Sequence, residues 1–181
     1  MIVFIEGGSK SGKSLFAQDV SVKLSTKGHL WYLATMEPHD EEDLARIARH
    51  RRERDGLGFE TAEWGRNIES HKKEIDCKGT YLVDSITTLL TNEMFRNMSD
   101  SSVDLLAPQR VLDGLSILSQ KAENVVFVSD NIYGDGICFD EWTNEFRKGL
   151  AYIDREICKK ADTVYEFVNG NRIKYKGEEI L

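Results

Sequence analysis

The sequence predicts an α/β fold, a single domain over residues 1–181 in which helices cover a mostly parallel sheet that ends in an antiparallel edge hairpin. Three observations carry that prediction. Short β-prone apolar runs alternate with helical or polar stretches, the pattern of βαβ units. The first run, "MIVFI", leads straight into "GGSKSGKS" (7–14) and then into the helical pattern "LFAQDVSVKL", a strand–loop–helix order. The last two runs, "TVYEFV" (163–168) and "RIKYKG" (172–177), are joined by "NGN" (169–171), whose Asn and Gly tolerate the positive φ of a tight hairpin.

In chain order, "IVFIE" reads as a buried strand and 14–26 as the helix after the loop. "LWYLAT" (30–35) is the second strand. A helix over 40–54 begins at Asp40, a good N-cap, with Glu41, Glu42 and Asp43 favourably placed in its first turn, and "DGLGF" (55–59) stops it. "TYLVDS" (80–85) and "NVVFVSD" (124–130) are further strands. Helices are expected over 85–97, 103–122 and 140–160, with "NMSDSS" (97–102) as a surface loop. No repeat, linker or low-complexity tract divides the chain.

A net charge of −7 argues against broad electrostatic binding to nucleic acid. Cys77, Cys138 and Cys158, odd in number and widely spaced, fit neither a disulfide framework nor a zinc site, which points to a reducing compartment. No stretch reaches the apolar length of a membrane span, and the N terminus lacks a targeting pattern, so a cytoplasmic protein is expected. Against the acidic whole, "RIARHRRER" (46–54) concentrates five arginines around His50.

Gly7, four residues, Gly12, Lys13 and Ser14 fit the phosphate-loop spacing G-x-x-x-x-G-K-[ST] in full. Gly7, Gly8 and Gly12 permit the turns and close approaches that bring backbone N–H groups onto an anion, and the following helix adds its positive end. Lys13 would reach the β- and γ-phosphates, and Ser14 would ligate Mg²⁺. Asp84, at the tip of "TYLVD", is placed to support that metal as a strand-end carboxylate.

His50 has two readings. Arg46, His50 and Arg54 lie one helical turn apart, with Leu44, Ile47 and Ala48 as an apolar side. A histidine ringed by guanidinium groups would stay neutral and nucleophilic, beside arginines that neutralise a triphosphate. Alternatively it is a solvated residue of an Arg-rich helix.

Read together, "FIEGGSKSGKS", "YLAT", "DEEDLARIARHRRER", "TAE", "DSITTLLTN" and "FRKGLAYIDREICKKADTVY" resemble, over nearly the whole chain, the bifunctional adenosylcobinamide kinase / adenosylcobinamide-phosphate guanylyltransferase family. The resemblance implies a three-layer RecA-like P-loop sheet assembled as a trimer. It also implies phosphorylation of adenosylcobinamide, then guanylyl transfer from GTP to the corrinoid phosphate through a GMP-histidine intermediate on His50, with Lys13 assisting. Nucleotide contacts carry over to Gly7, Gly8, Ser9, Lys10, Ser11, Gly12, Lys13 and Ser14, to Ala34, Thr35 and Met36, to Arg51, Arg52, Glu53 and Arg54, and to Glu63 and Asp84, with Ser14 and Asp84 at the metal. GTP or ATP, Mg²⁺ and the corrinoid are the implied small-molecule partners.

The chain departs from the family where relatives read "T-N-E-V-G-x-G-I-V-P". In "DNIYGDGICF" Asn131, Gly134, Gly136 and Ile137 match, Ile132 replaces a glutamate and Phe139 a proline. Asp154 replaces a usual asparagine, and "RERDGLGF" replaces the "R-P" after the histidine. Two rival readings remain: a P-loop kinase of another hydroxylated substrate, and a GTP-binding regulatory protein whose catalysis has decayed. Trp31, Trp64 and Trp142 read as core or subunit contacts, with corrinoid stacking as the alternative for Trp64 or Tyr133. His29, His39 and His71 read as unpartnered surface histidines, and Glu6 and Lys10 as either nucleotide contacts or solvated charges.

Overall fold

The computed structural model describes the chain apart from residues 27, 39, 97–102 and 135, so the expected 97–102 loop and His39 lie outside the described residues. Seven strands form one sheet in the order β3-β2-β4-β5-β1-β6-β7. They are β1 (Ile2–Gly7), β2 (Leu30–Ala34), β3 (Phe59–Ala62), β4 (Thr80–Asp84), β5 (Asn124–Asp130), β6 (Thr163–Val168) and β7 (Asn171–Lys176). Every pairing is parallel except β6–β7, the expected edge hairpin. Its turn is made by Asn169 and Gly170, both at positive φ (50° and 78°), the twist a two-residue hairpin needs.

The central strands are apolar on both faces because both faces are covered. Phe4, Leu33, Val83 and Phe127 pack under α3 (Ile86–Met94), α4 (Ala107–Lys121) and α5 (Glu141–Lys160). Val3, Ile5, Leu82, Val126 and Val128 face the other way, with Ala17 and Val20 of α1 (Lys13–Leu24). The result is the expected three-layer P-loop architecture. The helix α2 (Glu41–Glu53) differs from the others in burying none of its residues.

Three differences from the expected elements have physical causes. β3 is a four-residue edge strand, "FETA", two of whose residues are exposed, so it carries no apolar run to detect. A 3-10 turn at Ile68–His71 fills the stretch before β4. α4 starts at Ala107 rather than 103, because Pro108 is accommodated only in a first turn, while Asp104 ahead of it binds Arg110 at 2.7 Å.

Candidate active site

The phosphate loop is set by the end of β1. Gly7 has no room for a side chain: a Cβ there would meet Phe167 Cβ at 2.8 Å. Its carbonyl accepts from Asn131 N at 3.1 Å, which ties β1 to the residue after β5. Gly12 caps α1 at φ 91°, a conformation that favours glycine. The loop closes around Lys13, whose buried ammonium donates to Gly8 O at 3.1 Å and pairs with Asp130 Oδ1 at 2.8 Å.

Asp84 ends β4 in register with Ala34 and Val128. Burial lifts its carboxyl above the ordinary range; the nearby His50, a hydrogen bond from Ser14 and the Lys13 ammonium oppose that rise, while Asp130 adds to it. Ser14, Lys13, His50 and Asp130 therefore share one cavity wall with this carboxyl group. A buried carboxyl bonded to a serine hydroxyl is a hard-oxygen donor pair, the chemistry that suits Mg²⁺ carried in on a nucleotide. Among the described residues no three acidic, histidine or cysteine side chains converge as a self-sufficient metal cage.

His50 arrives on α2, whose start is fixed by Asp40, the Oδ1 of which accepts from Asp43 N at 2.8 Å. The expected guanidinium ring does not form. Arg46 reaches back to Glu42 at 3.4 Å, and Arg54 leaves the helix to lie over the Tyr32 ring, 3.3 Å from its centroid. Beside His50 stands Glu53, one turn on, with Oε2 3.1 Å from Nδ1 but outside hydrogen-bond geometry. Of the expected apolar side, Ile47 is half-buried, whereas Leu44 (55%) and Ala48 are exposed. Arg54 itself is buried, with Nη1 unpartnered, and Tyr32 beneath it donates to Asp84 O at 3.4 Å. The end of α2 is thereby held against the strand tip that carries Asp84.

These groups border one cavity of about 1190 Å³. Of the sequence-predicted residues, Ser9, Lys10, Ser11, Gly12, Lys13, Ser14, Ala34, Met36, His50, Arg51, Arg52, Glu53, Arg54, Glu63 and Asp84 lie on its wall. Arg51 and Glu63 pair across it at 3.3 Å. Gly7 is buried behind the wall, while Gly8 is exposed and its carbonyl holds Lys13. Thr35 is fully buried: its Oγ1 donates to Ser85 O and accepts from Ser85 N, at 3.1 and 3.0 Å, so it braces the strand tips. Sequence reasoning missed Asp130, although it ends its strand as Asp84 does.

Glu6 lies on the opposite face of the sheet, near Asp154 and Tyr133. Asp154 accepts from Ser129 Oγ (2.9 Å) and Tyr133 OH (2.6 Å) and is pushed up to about 7 by burial. Ile132 packs against the larger core, and Arg147 holds the backbone there, donating to the carbonyls of Ile132 and Tyr133 at 3.1 and 3.2 Å. Trp31 and Trp64 stack beside Tyr81 as core residues, whereas Trp142 is exposed. Two histidines expected to lack partners have them: His29 pairs with Glu60 at 2.5 Å, and His71 pairs with Glu74 at 3.1 Å while stacking on Trp64. No described helix is long and apolar enough to cross a membrane.

Comparison with known proteins bears on both fold and site. A family profile described as "Cobinamide kinase / cobinamide phosphate guanyltransferase" matches residues 3–175. The chain is 25% identical to the bifunctional adenosylcobalamin biosynthesis protein CobU of Escherichia coli (strain K12), over 97% of this chain and 100% of that one. It is 26% identical to the protein of the same name from Salmonella typhimurium, with the same coverage. Among solved structures, the flagellar accessory protein FlaH of Methanocaldococcus jannaschii superposes with a TM-score of 0.51 at 13% identity, covering 98% of this chain and 78% of that one. An ATPase of the type III secretion system of pathogenic bacteria gives 0.50 at 12% identity, covering 93% and 51%. At such identities these two share the fold alone.

Proposed function

The chain belongs to the cobinamide kinase / cobinamide phosphate guanyltransferase family, a family of transferases in adenosylcobalamin biosynthesis, and we propose that the cavity bordered by the phosphate loop and α2 serves both half-reactions with His50 as nucleophile. The observation that carries this reading is the meeting of His50, brought by α2, with Ser14 and Lys13 of the phosphate loop around Asp84.

In the kinase step the loop Gly7–Ser14 cradles a nucleoside triphosphate, GTP or ATP, and its γ-phosphoryl group passes to the hydroxyl of adenosylcobinamide. Lys13 then exchanges its contacts with Gly8 and Asp130 for the β- and γ-phosphates. In the second step the Nε2 lone pair of His50 attacks the α-phosphorus of GTP. The bond to the bridging oxygen breaks, and its electrons leave with pyrophosphate. A phosphate oxygen of adenosylcobinamide phosphate then attacks the phosphoramidate, the P–N bond breaks back to the imidazole, and adenosylcobinamide-GDP is released. Glu53 lies beside Nδ1, which leaves Nε2 as the attacking nitrogen.

Ser14 and Asp84 are the residues that would hold Mg²⁺, which supplies charge neutralisation on the phosphates. Arg51, Arg52 and the orphaned Nη1 of Arg54 offer donors to a triphosphate, while Ala34, Met36 and Glu63 contact the rest of the nucleotide. Thr35 supports them from behind. The proposal includes one domain over 1–181, a cytoplasmic location and a homotrimer, the last resting on family resemblance.

The test is incubation with Mg²⁺ and α-labelled GTP, in parallel with His50→Ala, followed by denaturation and exposure to acid or alkali. Label that is alkali-stable, acid-labile and absent from the variant supports the phosphoramidate. GTP binding without label sinks the His50 role and leaves a kinase or a binding protein.

A further inference from the structure

Asp130 is an acidic residue of the cavity wall that belongs to neither the phosphate loop nor the metal pair. It is the last residue of β5, in register with Gly7, at the C-terminal edge of the parallel strands where ligands of such sheets bind. Its strand lies between β4, which carries Asp84, and β1, which carries the loop. Its backbone is fixed on two sides. Asp130 N donates to Thr87 Oγ1 at 3.0 Å, and the next N–H, of Asn131, donates to Gly7 O at 3.1 Å. Oδ1 touches the Lys13 ammonium at 2.8 Å, and Oδ2 makes no hydrogen bond among the described residues.

Lys13 is the group that reaches the β- and γ-phosphates of a nucleotide bound in this loop. A carboxylate in contact with that ammonium therefore stands beside the γ-phosphoryl position. Metal binding falls to Ser14 and Asp84, and guanylyl transfer has its own nucleophile in His50. The acceptor alcohol of the kinase step has no base assigned to it.

We propose that Asp130 is the general base of the kinase step, accepting at Oδ2 the proton of the corrinoid alcohol as the alcohol oxygen attacks the γ-phosphorus. The new O–P bond forms as the bond from the γ-phosphorus to the β,γ-bridging oxygen breaks. That electron pair leaves with the nucleoside diphosphate, and the proton passes from Asp130 to solvent. A carboxylate beside an anionic phosphoryl group is electrostatically unfavourable unless it takes up a proton there, so an asparagine would hold Lys13 less well yet repel nucleotide less. The inference rests on the reading that the triphosphate lies in Gly7–Ser14, and it extends that reading to the acceptor side.

The experiment measures two reactions on wild type, Asp130→Asn and Asp130→Ala. One is phosphoryl transfer from γ-labelled ATP or GTP to adenosylcobinamide; the other is labelling of the protein by α-labelled GTP without corrinoid. The expected result is a fall in kcat for phosphoryl transfer of roughly 10²- to 10⁴-fold. The nucleotide KM stays within about threefold, and protein labelling falls by less than about tenfold, which also reports an intact fold. A proportionate loss of both reactions, or a raised nucleotide KM with kcat unmoved, overturns the proposal and leaves Asp130 acting only through Lys13. Wild type that labels but transfers no phosphoryl group removes the kinase step and Asp130's role with it. Wild type that phosphorylates the corrinoid without labelling removes the His50 reading and leaves the Asp130 comparison intact.

Discussion

The loop Gly7–Ser14 and the helix α2 face each other across one cavity, yet the first is locked into the sheet and the second is held mainly near its ends. Behind the loop, Val3, Phe4 and Ile5 are almost fully buried, Gly7 is wedged against Phe167, and the Lys13 side chain is sealed between Gly8 and Asp130. On α2 no residue is buried; the Asp40 cap holds one end, and Arg54 on Tyr32, with Arg51 reaching Glu63, holds the other. The difference matches two tasks. A phosphate cradle works by preorganisation, its N–H groups fixed before the anion arrives. A histidine that takes a guanylyl group from GTP and hands it to a second phosphate has to meet two positions in turn, which a lightly docked helix permits.

The largest expected effect tests the packed half. Asp154 sits in the α5 layer and is only 5% exposed, with Oδ1 buried and unpartnered. Burial raises its folded-state value to about 7, so stability is full below its unfolded value near 4, falls as pH rises through that window, and is flat above about 7. Asp154→Asn keeps the one oxygen that accepts from both Ser129 and Tyr133. Denaturant unfolding should show the variant level with wild type near pH 4 and more stable by about 2–4 kcal/mol at pH 8. Equal pH dependence in both proteins would mean that the packed half carries no such penalty. The next effect tests the docked end of α2. Arg54→Ala removes a desolvated cation–π contact of about 2 kcal/mol. Hydrogen exchange of α2 amides should quicken by roughly thirtyfold while β1 amides keep their protection. Equal loss of protection in both would show that α2 and the sheet open together.

The same contrast explains what was legible in the sequence. The loop's residues are contiguous and their chemistry is a fixed spacing, so Gly7 to Ser14 could be read directly. Strands β1, β2 and β4 to β6 announce themselves because burial on both faces demands apolar runs. β3 does not, since an edge strand reading "FETA" has little to bury. For α2 the spacing gave the helix and its Asp40 cap but misjudged the surroundings of His50. The i+3 carboxylate of Glu53 lies 3.1 Å from His50 Nδ1, and Arg54 leaves the helical face for the Tyr32 ring. Those are tertiary choices that periodicity cannot express. Asp130 was missed for a different reason: its meaning depends on β5 lying between β4 and β1, an order that emerges only from pairing.

The smallest effect is the sharpest comparison, because one change can be made in both settings. Asp40 caps α2 by accepting from Asp43 N at 2.8 Å, and Asp140 caps α5 by accepting from Thr143 N at 2.9 Å. Replacing either by Ala removes a backbone cap worth about 1 kcal/mol at a helix start, and at Asp140 also the bond it accepts from Thr143 Oγ1 at 2.6 Å. α5 buries Leu150, Ile153 and Ile157 in the core, so its loss is shared by the whole domain, and Asp140→Ala should lower global stability by close to that amount. α2 buries nothing, so its first turn can fray without disturbing the sheet, and Asp40→Ala should leave the unfolding midpoint within about 0.3 kcal/mol of wild type. Its cost should appear instead as faster exchange at the first α2 amides and as slower labelling of His50 by GTP. Equal shifts in the two midpoints would mean that α2 folds as one unit with the sheet, and the freedom assigned to the nucleophile's helix would have to be sought elsewhere.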